Sequence, residues 1–125
     1  MKALLVPVVI TLSLVPEVSL SAHHTWAVSH AQLVTVKGTV TRFEWGNPHP
    51  MITLEVPTAD GKVEKWLVGG PAINRMEANG WTKDTVKPGD VITGIGYQYA
   101  DGQKIIRLER VVFADGKQMR LYARE

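Results

Sequence analysis

From Leu33 onward the chain alternates. Val34, Val36, Gly38 and Val40 fall on one side of the period, and Thr35, Lys37, Thr39 and Thr41 fall on the other. A period of two is the spacing of a β-strand with one buried face. Phe43 and Trp45 continue the apolar set only after a one-residue slip near Thr41 and Arg42. Such a slip, with Gly38 inside the run, predicts a strand that is bulged and strongly bent. Long coiled first strands are what small closed barrels need, because strands must tilt to meet around an axis.

The strand ends in Glu44-Trp45-Gly46-Asn47-Pro48-His49-Pro50. Two prolines fix φ on either side of His49, so its imidazole sits on a stiffened turn. Asn47 before Pro48 opens that turn, and Trp45 sets a large amphipathic ring beside it. A second strand follows from Met51 to Pro57 and a third from Val63 to Val68, joined through Asp60-Gly61. Asp-Gly between alternating runs predicts a type I′ hairpin turn, with φ positive at both central residues. The same Ala-Asp-Gly pattern recurs at 100–102 and 114–116, at unequal spacings that mark hairpins and not a repeat protein.

Pro71 is well placed as the first residue of a helix running to about Asn79, with Asn79-Gly80 as its stop. Ile73 and Met76 would face the core, and Trp81 would pack beneath. Strands are expected at 91–97, 104–113 and 118–122, whereas 27–32 has no clear periodicity and reads as a loose lead-in. The order of three strands, a short helix, then two or three strands predicts an all-β chain with one short helix. It is that of an OB-fold-like barrel of five to six strands, with the helix between strands 3 and 4. A sandwich or a helix-covered meander is the alternative.

The first residues point to export. Met1-Lys2 is a minimal basic start, Ala3 to Val15 carries no charge, and Pro16 to Ala22 ends in small residues. That is the pattern of a secretory signal peptide over residues 1–22, leaving 23–125 as a single domain. The apolar run is shorter than the about 20 residues a spanning helix needs, so no membrane anchor is expected after cleavage. Cleavage removes one lysine and one glutamate and leaves the formal charge at +2, too little for a nucleic-acid partner. Cysteine is absent, which excludes disulfides and a lipidated cysteine. The expected compartment is the periplasm, the expected state a monomer or weak dimer.

Without cysteine, the four histidines and the new amine are the candidate transition-metal nitrogens. Cutting after Ser21 creates Ala22-His23-His24, and cutting after Ala22 makes His23 the first residue. Either end offers copper(II) an amine and an imidazole in a tetragonal arrangement, with His24 or His49 as a further donor. The expected metal ligands are therefore His23, His24 and His49, and copper is the only cofactor the sequence suggests. The bland alternative is a solvated pair of histidines on a free terminus. A second reading uses the OB groove, which would gather Trp45, Asn47, His49 and Trp66 into a platform for a small ligand or a periplasmic protein. Core packing of the tryptophans is the competing reading.

An enzyme is the least supported reading. Ser29-His30 has no nucleophile-elbow motif around it, and Glu44 near His49 is a candidate carboxylate–imidazole pair only. Arg107, Arg110, Arg120 and Arg124 read as a solvated face or a partner rim.

Ala22-His23-His24-Thr25-Trp26, Lys37-Gly38-Thr39-Val40, Glu44-Trp45-Gly46-Asn47-Pro48-His49, Gly80-Trp81-Thr82 and Lys87-Pro88-Gly89-Asp90 occur in that order. Together they resemble a group of small secreted bacterial proteins classed as a domain of unknown function, whose members read A-H-H-S-F, K-G-T-V, E-W-x-N-P-H, G-W-T and K-P-G-D. The resemblance implies a periplasmic setting and a small β-rich domain, with no established activity. It places His23, His24, Asn47, Pro48 and His49 on shared motif positions. Ser29-His30 stands where similar chains carry an acidic residue, and Met51 stands where an aromatic is common.

Overall fold

The computed structural model describes residues 28–122, with side chains from Gln32 onward. Six strands and one helix follow one another: β1 (Val28–Glu44), β2 (Met51–Pro57), β3 (Val63–Gly69), α1 (Ile73–Ala78), β4 (Val91–Tyr99), β5 (Ile105–Phe113) and β6 (Gln118–Arg120). The signal peptide expected over residues 1–22 and the candidate ligands His23 and His24 lie outside the described residues.

β1 is longer than its alternation suggests, because Val28–Gln32 also belongs to it. Its pairing with β4 shifts register between Val28 and Leu33, so the backbone is extended there while the period is lost. The expected slip is present too, as a register shift between Val40 and Arg42 against β2. β1 serves two partners in turn. Residues Leu33 to Thr39 pair with β4, and Thr39 to Glu44 pair with β2. Gly38 makes the exchange possible: a Cβ there would lie 2.5 Å from the Glu55 carbonyl oxygen and 2.9 Å from Val56 Cγ2.

Hydrogen-bonded neighbours run β3-β2-β1-β4-β5-β6, and a parallel seam pairs Leu67, Val68 and Gly69 of β3 with Ile105, Ile106 and Arg107 of β5. Five strands thus ring the core in the order β1-β2-β3-β5-β4, with β6 appended to β5. The ring has the expected OB-like order, and its closure is a short seam and not a full-length strand pair.

Val40, Leu54, Val68, Ile106 and Leu108 fill the interior, each at most 1% exposed. One end is plugged by Met76 of α1 together with Trp81 and Leu121, all buried. The Trp81 backbone N–H donates to Met76 O (3.0 Å), and its indole Nε1 donates to Arg120 O (2.8 Å). The C-terminal segment is held again where Leu121 N donates to Glu109 O (3.1 Å).

Two local expectations need correction. The helix begins at Ile73 and not at Pro71, because the residue ahead of it, Ala72, has an extended ψ of 150°. The Asp-Gly hairpins are not type I′, since only the glycines Gly61, Gly102 and Gly116 have positive φ there. Gly61 N donates to Thr58 O, Gly102 N to Tyr99 O and Gly116 N to Phe113 O. Each is therefore a type I turn followed by a left-handed glycine. The aspartates stay right-handed because each carboxylate accepts an N–H two residues on, from Lys62 (3.2 Å), Gln103 (3.1 Å) and Lys117 (2.9 Å).

Candidate functional site

The β1–β2 turn is anchored on both flanks. Phe43 and Trp45 pack against the core and meet edge to face, with ring centroids 5.8 Å apart and planes at 75°. On the other flank Pro50 is buried and its carbonyl accepts the Gly70 N–H at 3.1 Å, tying the turn to the end of β3. Between the anchors, Asn47 and Pro48 are exposed across a cis peptide bond and His49 is half-buried. Glu44 binds the Arg42 guanidinium at 2.7 Å, with both side chains exposed.

The structure brings Trp45, Asn47 and His49 onto one turn, as the sequence indicates. Trp66 is placed elsewhere. It pairs with Leu54, three pairing rows from the Met51–Gly69 row that borders the turn, a distance of about 10 Å along the strand. Its ring packs against the core from the same face as Val68, and its Nε1 donates to Glu64 Oε2 at 3.1 Å.

The position of β1 also bears on the histidines. Val28 pairs with Tyr99 beside the β4–β5 loop, whereas Glu44 pairs with Met51 beside the turn. The chain therefore joins β1 at the strand end remote from His49. Among the described residues no three His, Asp or Glu side chains gather as a metal site. Nor is any described helix long and apolar enough to cross a membrane.

Glu64 accepts the Lys104 ammonium at 3.0 Å as well as the Trp66 indole. These bonds, the ammonium's first, hold its carboxyl below the usual carboxylate range. A carboxyl depressed in the folded state adds stability above its unfolded pKa of about 4.3, and that stability is lost as pH falls through the folded value. Urea melts across pH 3 to 6 are thus expected to show a flatter acid limb in Glu64→Gln than in the wild type. Trp66 emission should change over the same range in the wild type alone. Identical acid limbs would remove Glu64 from the pH response.

One cluster escaped the sequence reading. Arg107 is no solvated rim residue: its guanidinium lies 5.6 Å from the Tyr97 ring centroid and 5.2 Å from that of Tyr122, and Nη2 meets Glu109 Oε1 at 2.7 Å. Burial raises the Tyr122 hydroxyl pKa. The arrangement clamps the C-terminal segment onto β5. Its only sequence signal is a spacing that becomes visible once Tyr97 is known to pair with Arg107.

Comparison with protein families finds a match to a model described as "Family of unknown function (DUF6152)", over residues 12–106. Comparison with curated proteins finds none.

Proposed function

Because the chain belongs to this family of unknown function, whose description carries no activity, we propose from its own residues that it is an exported periplasmic binding protein whose binding end is the β1–β2 turn. The anchoring carries this reading. Trp45 and Pro50 are fixed into the ring while Asn47 stands exposed and His49 half-exposed between them. A loop held on both flanks gives up little conformational freedom when a partner docks. The suitable partner is a small polar ligand or a protein segment that hydrogen-bonds the Asn47 amide and the His49 imidazole along the apolar flank of Trp45.

A second reading, copper(II) binding, is favoured by His23-His24 falling at the cleavage point. The chelate in this reading is made at the terminus by the amine, His23 and His24, with His49 as a separate imidazole. Intact mass with metals retained reads both export and occupancy, and titration of copper into the purified exported protein reads the ligands. His23→Ala or His24→Ala is expected to weaken binding tenfold or more, and His49→Ala to leave it unchanged. Binding should fade as pH falls through the imidazole range, near 6.5. Equal weak binding by all variants removes copper; an uncut chain removes export.

A further inference from the structure

β5 and β6 bring two arginines face to face, since Arg110 pairs directly with Arg120. Leu121 N donates to Glu109 O and Phe113 N donates to Lys117 O, so by alternation the Arg110–Arg120 row lies between hydrogen-bonded rows and has no ladder bonds of its own. In such a row the Cα atoms stand about 4.5 Å apart and the side chains come closest. Both leave the sheet on the face opposite buried Val111 and Leu121, with Arg110 half-buried and Arg120 exposed. Like charges directly opposite weaken a strand pair. Among the described residues no carboxylate lies within ion-pair distance of either guanidinium. Neighbouring Glu109 is committed to Arg107 at 2.7 Å. Arg110 Nη1 donates to Gln118 Oε1 at 3.4 Å, a neutral acceptor that leaves the charge standing. The backbone beneath is fixed: Arg110 pairs with Ile95 of β4 on its other side, and the Arg120 carbonyl accepts the Trp81 indole at 2.8 Å.

We propose that Arg110 and Arg120 form a site for a phosphoryl group, carried by inorganic phosphate or by a phosphate monoester. A guanidinium is a planar fork that takes two oxygens side by side. A carboxylate has two oxygens and one charge, enough for a single fork. A phosphate monoester has three terminal oxygens and a charge of about −1.5 to −2 at pH 7, enough to engage both forks and cancel their repulsion. Ile95, paired with Arg110, and Val112, two residues along the same face, are half-buried beside the pair and give apolar ground for the group that bears the phosphate. The site uses neither the β1–β2 turn nor the exported terminus, so it stands whether or not those readings hold.

The test titrates the purified protein with inorganic phosphate, with propyl phosphate, and with phosphatidylcholine vesicles containing or lacking phosphatidic acid, all at one ionic strength made up with chloride. Wild type is expected to bind with a dissociation constant on the order of millimolar, because the forks reach solvent. Arg110→Gln and Arg120→Gln should each weaken binding about tenfold or more, and Arg120→Lys, which keeps the charge and loses the fork, about threefold. Lys117→Gln removes the same unit of charge from the β5–β6 turn and should leave binding unchanged. Binding of the soluble phosphates alone assigns the site to a free phosphate; retention on phosphatidic acid vesicles that Arg120→Gln abolishes assigns it to a lipid headgroup. Without phosphate, Arg120→Gln should melt at or slightly above the wild-type midpoint, since it relieves the facing charges; its loss of binding is then a loss of the fork and not of the fold. No binding in any arm overturns the proposal, as does equal binding by wild type and Arg120→Gln. Equal losses from Arg120→Gln and Lys117→Gln overturn it too, as does a midpoint for Arg120→Gln below that of the wild type.

Discussion

Trp81→Ala is expected to lower the stability of this protein by about 4 kcal/mol, a large part of the roughly 5–15 kcal/mol that holds a domain of this kind together. Trp81 is 1% exposed and lies tilted against Phe113, with ring centroids 6.5 Å apart. Removing it opens a cavity under α1 and also leaves the Arg120 carbonyl without the indole donor at 2.8 Å. Trp81→Phe separates the two effects. It keeps most of the ring volume and deletes the hydrogen bond, so a loss of about 1–3 kcal/mol is expected. Chemical denaturation followed by circular dichroism reads both. A loss below about 1 kcal/mol for the alanine variant would mean that the end plug does not depend on this ring.

Gly38→Ala should cost about 3 kcal/mol, although it adds a single methyl group. The new Cβ meets the Glu55 carbonyl oxygen at 2.5 Å, and a backbone carbonyl cannot rotate aside as a side chain can. β1 and β2 would have to separate where β1 changes partner. Gly46→Ala is the matched control: nothing lies within 4 Å of its added Cβ, so its midpoint should stay within about 0.5 kcal/mol of the wild type. Equal midpoints for the two variants would show that β1 bends without needing the close approach at Gly38.

The turn from Trp45 to Pro50 was readable as a rigid loop because proline and asparagine act on their own backbone. Its attachment was not readable, because the Gly70 N–H that holds Pro50 comes from another strand end. Trp66 shows the same limit. Its alternation correctly marks a strand position, yet which rows separate it from His49 depends on the register of β2 against β3. The Asp-Gly hairpins were found at the right places with the wrong turn type, since the carboxylate's bond to the second following N–H decides the aspartate conformation. Arg107 looked like surface charge because its tyrosine partners lie ten residues before it and fifteen after it.

Residue periods, glycines and prolines by themselves determined the strands from Leu33 onward, the helix between the third and fourth, and the loop that carries His49, because each acts within a few residues. Only the tertiary structure decided that β3 and β5 meet, that β1 changes partner at Gly38, and that the chain joins β1 far from the turn. The physical reason lies in the backbone. Every extended segment offers the same N–H and C=O groups, so the choice of partner is made by long-range packing around a shared core.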